Sequence, residues 1–382
     1  MVKKIALLGA TGSIGTSFFE VLSEQKDRLK LSFVAAHHSY QKLCPLAIRH
    51  GVQTAVLTGI TDLSQQKQIR QQYPQLKLYF GESELIRLLE NEDYELGLNA
   101  IGGSSGIQAT FAILKRGKKL ALANKESLVM GGHLVQKLKQ PGQIIPVDSE
   151  HSAIFQALGQ HPLSEVKKLI ITASGGAFRT LPLNEFASIT PAMALKHPNW
   201  EMGAKVTLDS ATMFNKALEV MEAHWLFDLP YTQIEALLHP QSVIHSLVQF
   251  IDGSLLAQLS SPDMKLPILY ALSYPERWNS HLVQTDLLSH QDLSFQALDL
   301  GRYPLYYLGL QVAQAGGIMP TIMNAAAEAA MQLFLSETIR FTDIHPLVER
   351  VIQSAKQIPD PDLETIIACN KDTYTQTLAA YT

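Results

Sequence analysis

Three glycines spaced three apart, Gly9, Gly12 and Gly15, stand between a short apolar run and an amphipathic segment. This placement restricts the fold more than any other stretch of the 382-residue chain. Residues 3–9 read as a buried strand, and helical periodicity then continues to about residue 26. A strand that turns through glycines into a helix offers backbone N–H groups and a positive helix end to a pyrophosphate. The spacing is GxxGxxG rather than the commoner GxGxxG, so the context carries the reading: a strand before, a helix after. A second strand at 29–36 closes a βαβ unit.

The alternation continues. Apolar runs at 53–57, 96–101, 119–123 and 143–147 are separated by helical patterns near 41–50, 61–72, 82–91 and 107–116. Such alternation predicts an α/β fold whose N-terminal part is a Rossmann-type, doubly wound parallel sheet. Beyond residue 148 the texture changes. A helix near 150–159 leads to a strand at 166–173, a Pro- and Gly-punctuated stretch at 175–204, one long helix at 207–227 and a strand-rich section at 241–260. Pro262, Pro267 and Pro275 then break the pattern, and 305–315, 320–335, 343–356 and 364–379 are helical in period. The expected organisation is a dinucleotide-binding domain at 1–147, a central α/β catalytic domain at 148–274, a linker at 275–304 and a helical domain at 305–382.

Composition excludes several classes. A formal charge of −4, with no basic run, gives no electrostatic basis for nucleic-acid binding. No apolar run reaches the roughly 18–20 residues that span a bilayer. Two cysteines, Cys44 and Cys369, form neither a CxxC nor a disulfide framework. The N-terminus enters a strand at once, without a signal-like segment. A soluble cytoplasmic protein is the expectation.

Chemistry concentrates in the second half. Asp148 and Glu150 flank Ser149 after an apolar lead-in, and in an extended segment residues two apart face the same way. Two converging carboxylates call for a counter-charge, which a hard divalent cation supplies; solvated acids at a strand end are the plainer alternative. Within 207–227, Phe214, Leu218, Met221 and Trp225 form an apolar face, with Asn215, Lys216 and Glu219 opposite. Lys216 and Glu219 read either as a surface ion pair or, if Glu219 meets Asp148 and Glu150, as part of a three-carboxylate metal site with an anion grip beside it. The Ser174-Gly175-Gly176 turn could present N–H groups to a phosphate. The segment from His197 to Gly203, with Trp200 and Met202, suits a lid, whereas a tryptophan tucked into the core is the default. His239 and His245 mark a loop entering a strand. The second strand ends Ala35-Ala36-His37-His38-Ser39. An acid there would hold a ribose diol and select NAD; its absence, with donors in its place, points to NADP, while two surface histidines in a loop remain the alternative.

These blocks, in this order, resemble the 1-deoxy-D-xylulose 5-phosphate reductoisomerase family over essentially the whole chain. The matching stretches are Thr11-Gly-Ser-Ile-Gly15, Ala123-Asn-Lys-Glu-Ser127, Val147-Asp-Ser-Glu-His151, Ser174-Gly-Gly176, His197-Pro-Asn-Trp200, Asn215-Lys216 with Glu219, and 239–245. The resemblance implies NADPH-dependent rearrangement and reduction of 1-deoxy-D-xylulose 5-phosphate to 2-C-methyl-D-erythritol 4-phosphate, a step in making isoprenoid precursors. It implies Mg²⁺ or Mn²⁺ on Asp148, Glu150 and Glu219, with Ser149 and Lys216 at the chelating end of the substrate. Ser174, Ser210, Asn215 and Lys216 would grip its phosphate, and His197, Trp200 and Met202 would belong to a flap. Lys125 and Glu126 would line the junction of cofactor and substrate. Gly9, Thr11, Gly12, Ser13, Ile14, His37, His38, Ala100, Asn124, Gly203 and Met264 would complete the cofactor contacts. A homodimer is also implied. The chain departs from the family pattern at Ala36-His37-His38, where glycine, a basic residue and asparagine are usual. It also has Ala177 where a proline is common and Ala217 where a glycine is common. A metal-independent NADP dehydrogenase and a non-catalytic NADP-sensing regulator are the rival readings; chelator sensitivity separates the first, and retention of the carboxylates and phosphate contacts argues against the second.

Overall fold

The computed structural model describes residues 2–196, 200, 203–289 and 292–381. Two compact units divide the chain: Met1–Ser127, Lys137–Ser152 and Asp263–Val283 form the first, and Leu128–Gln136, Ala153–Pro262 and Gln284–Thr382 the second. The elements begin β1 (Lys3–Leu8), α1 (Ser13–Glu24), β2 (Leu29–Ala36), α2 (Tyr40–Arg49), β3 (Thr54–Leu57), α3 (Leu63–Gln72) and β4 (Lys77–Phe80). They continue with α4 (Glu82–Asn91), β5 (Leu96–Asn99), α5 (Ile107–Lys115), β6 (Lys119–Leu122), α6 (Glu126–Val129), α7 (Gly132–Leu138), β7 (Ile144–Pro146) and α8 (Ser149–Leu158).

In the first unit seven parallel strands run in the order β4-β3-β2-β1-β5-β6-β7. The order reverses at β1, which pairs with β2 on one side and β5 on the other, so the ligand-binding crevice of this architecture opens at the carboxyl ends of those strands. Ile5, Leu7, Leu8, Phe33, Val34 and Leu98 are wholly buried, as strands covered on both faces require. One strand was not legible as such: β4 carries Lys77-Leu-Tyr-Phe80, four residues between two helices, with only Leu78 buried.

The later elements are β8 (Val166–Ala173), α9 (Pro191–Ala194), α10 (Ala204–Ala211), α11 (Phe214–Phe227), β9 (Ile234–Leu238), β10 (Ile244–Phe250), β11 (Leu255–Leu259) and α12 (Lys265–Ser273). Four helices close the chain: α13 (Pro304–Ala315), α14 (Met319–Leu335), α15 (Ile344–Ser354) and α16 (Leu363–Ala379). The helix α12 belongs to the first unit, where it packs on α1 and β7, and Lys3 Nζ donates to the Leu272 carbonyl at 2.6 Å. Its Pro267 lies in the first turn, where a missing N–H costs little, so the proline that suggested a break sits inside a helix.

The second unit holds a four-stranded sheet, β11-β10-β8-β9, with β10 antiparallel to both neighbours and β8 parallel to β9. Its helices α13–α16 occupy nearly the stretches expected from periodicity. The single helix expected over 207–227 is instead two. Met213 takes a left-handed conformation (φ 59°) and separates α10 from α11. The second helix is buried on nearly every side, including Lys216 and Glu219. The pattern of polar residues opposite an apolar face therefore marks an interior seam rather than a solvated surface.

α11 and α13 touch closely: a Cβ added at Gly309 would lie 2.5 Å from the Ala217 Cβ. Gly309→Ala is therefore expected to destabilise the fold by about 1–3 kcal/mol through overpacking. Urea denaturation of the two proteins checks this.

Candidate functional site

In the first unit the glycine loop has the geometry of an anion cradle. Gly9 adopts φ 79°, and a Cβ there would meet the Ala100 carbonyl oxygen at 2.2 Å. At Gly15 a Cβ would fall 2.4 Å from the Ala10 carbonyl. Both backbones approach to distances that only glycine permits. Gly12 begins α1 without a side-chain cap, and the first turn of the helix has no acid. Ser13 and Ile14 therefore start a helix whose positive end is not answered by a carboxylate of its own, which fits a pyrophosphate. Thr11 and Ala100 are half-buried beside it, and Gly12 and Ser13 are exposed.

A buried polar network supports the neighbouring loop. Asn99 donates to the Gly106 carbonyl (2.8 Å) and to the Thr110 hydroxyl (2.9 Å). Thr110 reaches Ser127 at 2.9 Å. The Asn124 amide donates to the carbonyls of Ile101 and Gly103 and to Glu126, each at 2.8 Å. Asn124 thus ties the 101–103 loop to Glu126. Ser127 closes one of the stretches that carry the family resemblance, whereas Thr110, in the middle of an apolar helix, gave no signal of its own.

Asp148 and Glu150 do not lie on an extended segment, which corrects the alternation expected of them. The chain turns into α8 at Ser149, so Asp148 immediately precedes a helix and Glu150 sits in its first turn. Helix N-termini favour carboxylates, which explains the acids as well as alternation did. Lys125 forms an ion pair with Asp148, and the fully buried His151 places Nδ1 3.5 Å from the same carboxylate. Burial opposes ionisation of Asp148, but the Lys125 ammonium and then His151 outweigh it and hold the carboxyl below its ordinary range. Ser149 donates to Glu150 at 2.5 Å. Met264, at the start of α12, also belongs to this unit.

In the second unit, three segments converge. β8 is followed by Ser174-Gly175-Gly176, with both glycines at positive φ (86° and 68°). A Cβ on Gly176 would lie 2.4 Å from the Ser210 carbonyl oxygen, so this turn rests on the end of α10. From α11, Lys216 donates to the Thr172 carbonyl at 2.6 Å and pairs with Glu219, to which Asn215 also donates. Lys216 is 4% exposed and Glu219 1%. The pair is buried, and the surface-pair reading is set aside. Ser174 thus lies in this turn and Ser210 against it, while Lys216 reaches the strand that leads into it and Asn215 neighbours Lys216 on α11. Arg179 and Tyr303, not anticipated, hold that turn from outside: Arg179 donates to the Ser174 carbonyl at 2.5 Å and Tyr303 to the Gly175 carbonyl at 2.9 Å.

Trp200 is half-buried, with its ring 5.9 Å from that of His245. His245 in turn lies 2.9 Å from the Ser260 hydroxyl. Gly203 precedes α10 and is exposed. His197 and Met202 lie outside the described residues. His239 is structural: its Nε2 accepts from the Val243 and Ile244 N–H groups, its Nδ1 is 3.0 Å from the Ser294 carbonyl, and it stacks on Phe295. This is the loop entering a strand that the sequence suggested.

Comparisons with known proteins agree along the chain. Residues 5–132 match the family described as 1-deoxy-D-xylulose 5-phosphate reductoisomerase. Residues 144–227 and 259–376 match two domains described as C-terminal domains of that enzyme. The chain is similar to the 1-deoxy-D-xylulose 5-phosphate reductoisomerase of Thermosynechococcus vestitus, with 43% identity over 97% of this chain and 91% of the relative. Its structure is similar to that of the Zymomonas mobilis enzyme solved in complex with NADPH (36% identity, TM-score 0.91, covering 100% of this chain and 99% of the other). It is similar also to a DOX-P reductoisomerase solved with NADPH, fosmidomycin and magnesium (35% identity, TM-score 0.92, covering 100% and 98%).

The interior position of His239 has a pH consequence. Burial lowers its pKa from the ordinary 6.5, more than the bond to Ser294 raises it. The unfolded chain then binds a proton that the folded one resists, so stability from this group is present above about pH 6.5 and lost as pH falls below it. The urea midpoint is expected to drop between pH 7.5 and 5.5, and His239→Gln to make that drop shallower.

Proposed function

The chain belongs to the 1-deoxy-D-xylulose 5-phosphate reductoisomerase family, and from that premise we propose how its residues divide the reaction. The protein is an NADPH- and metal-dependent enzyme that converts 1-deoxy-D-xylulose 5-phosphate to 2-C-methyl-D-erythritol 4-phosphate. One observation carries the assignment of residues: within each unit a carboxylate is held against a lysine, the half-buried Asp148 by Lys125 and the buried Glu219 by Lys216. Carboxylates gathered in such surroundings fit a hard, oxygen-seeking divalent cation.

Asp148, Glu150 and Glu219 hold Mg²⁺ or Mn²⁺. The ion, when bound, supplies Lewis acidity and a template for adjacent substrate oxygens. Ser149 orients the substrate's oxygens. Lys216 is seated between Glu219 and the Thr172 carbonyl, so its ammonium serves the phosphorylated substrate from a fixed position. Ser174, Ser210 and Asn215 complete the phosphate grip, and remote phosphate binding holds the reacting carbons in place. His197, Trp200 and Met202 cover the substrate and exclude water. Gly9, Thr11, Gly12, Ser13 and Ile14 cradle the NADPH pyrophosphate, and Ala100, Asn124, Gly203 and Met264 add contacts along the cofactor. Lys125 and Glu126 serve both cofactor and substrate. In this reading residues 1–147 bind the cofactor, 148–274 carry the chemistry, 275–304 connect and 305–382 support.

Homodimerisation belongs to the same proposal. β11 lies at the edge of its sheet and exposes Leu255, Leu256 and Leu259. An open edge with exposed leucines favours pairing with another chain. Among the described residues no helix is long and apolar enough to cross a membrane. We place the enzyme in the cytoplasm, consistent with two free cysteines.

NADPH absorbance with 1-deoxy-D-xylulose 5-phosphate tests the assignment. Oxidation is expected with Mg²⁺ or Mn²⁺ and not with EDTA. Glu219→Gln should lose turnover by at least about 100-fold, the scale of removing a group that acts in the transition state, while still binding NADPH; unchanged turnover would remove Glu219 from the metal site. Leu256→Lys is expected to sediment as a monomer, and a dimer that survives it would locate the interface elsewhere.

A further inference from the structure

Two imidazoles stand side by side where β2 ends. His37 and His38 are both exposed, with ring centroids 3.9 Å apart and planes inclined by 54°. His37 Nδ1 lies 3.0 Å from the Thr58 hydroxyl, just past β3. Gly59 completes the setting: a Cβ there would come within 2.3 Å of Cε1 of His38 and 2.6 Å of Cε1 of His37. Both rings thus rest directly against that turn, in space that a side chain at 59 would displace them from. Ser39, which begins α2, makes no capping bond with its side chain. The strand end and the turn after β3 therefore bring two imidazoles and the Thr58 hydroxyl to one place.

In a doubly wound sheet the end of the second strand is where the ribose 2′ group of a dinucleotide lies. A fixed cation there would bind a 2′-phosphate at any pH. Imidazoles do so fully only when protonated, and their ordinary pKa lies near 6.5. Burial, and then the neighbouring His38, lower the pKa of His37, while Glu82 at the start of α4 acts in the opposite sense. Thr58, facing His37 from the turn after β3, carries no charge. A phosphate dianion placed against the rings adds the missing favourable charge and raises their proton affinity.

We propose that His37 and His38 form a proton-coupled selector, in which the 2′-phosphate of NADPH is bound together with a proton taken up by the imidazole pair. The inference rests on the NADPH reading above and adds a condition to it. Preference for NADPH over NADH is high near neutral pH and declines as the solution becomes alkaline. Linkage sets the sign: a group whose pKa is higher in the complex than in the free protein contributes affinity below its bound pKa and loses it above. A phosphate monoester, with its second pKa near 6, stays mainly dianionic above about pH 6.5, so the ligand does not produce the trend.

Calorimetric titration of the full-length protein with NADPH and with NADH, at pH 6.5, 7.5 and 8.5 in buffers of different ionisation heat, tests this. The NADPH-to-NADH affinity ratio is expected to fall by roughly tenfold or more from pH 6.5 to 8.5, with net proton uptake on NADPH binding alone. His37→Asn combined with His38→Asn should give a low ratio that no longer changes with pH. His37→Arg should hold the ratio high throughout. A constant ratio without proton uptake, or a pH slope that survives the double substitution, overturns the selector and leaves NADPH binding standing. Failure to bind NADPH at every pH would overturn the cofactor reading itself. Both side chains are exposed, and circular dichroism of the variants checks that they fold.

Discussion

Glu219 is a carboxylate almost wholly removed from water, and the residues around it supply the partners that such burial requires. An isolated ion in such a place would cost several kcal/mol. Lys216, one turn earlier on the same helix, supplies the counter-charge and anchors itself on the Thr172 carbonyl. That anchor ties the start of α11 to the end of β8, and the Ser174-Gly175-Gly176 turn comes directly after it. The turn can lie against α10 because Gly176 has no side chain, and Met213, in a left-handed conformation, separates α10 from α11. Charge burial, backbone strain and close packing here are parts of one construction.

The first unit solves a similar problem differently. Asp148 is placed at a helix N-terminus, where the backbone itself favours an anion, and Lys125 reaches it from the segment after β6. Lys125 and Asp148 are far apart in sequence, whereas Lys216 and Glu219 are three apart, so only the second pair could be suspected from spacing. Even there the spacing misled about solvent, because the (i, i+3) arrangement is common on surfaces and says nothing about what packs above it.

The βαβ alternation made the parallel sheet legible, since strands buried on both faces are apolar throughout and their connecting helices are amphipathic. The closing helices were legible for the same reason. β4 and α12 were not: the first has four residues with one buried, and the second contains a proline that is harmless only in a first turn. The break at Met213 left no trace, because a non-glycine residue in a left-handed conformation carries no sequence signal. At the site, residue types were readable and their supports were not. The carbonyl-mediated anchors of Lys216, Arg179 and Tyr303 involve backbone atoms, which every sequence possesses. The resemblance to a family named the functional residues; the glycine loop, the acids and the Ser-Gly-Gly turn would have suggested them one by one.

Gly309 and Ala217 share the space of a single methyl group between two helices. What the fold restricts there is the sum of two side chains rather than either alone. The alanine at 217 favours its helix by up to about 1 kcal/mol over glycine, and the glycine at 309 gives up about as much in α13. Exchanging the two residues would leave the interhelical distance and the total helix propensity nearly unchanged, while moving the stiffer backbone from the helix that carries Lys216 and Glu219 to one that carries no proposed site residue. The allocation has a direction: local rigidity is assigned to the helix whose charged residues must keep their geometry.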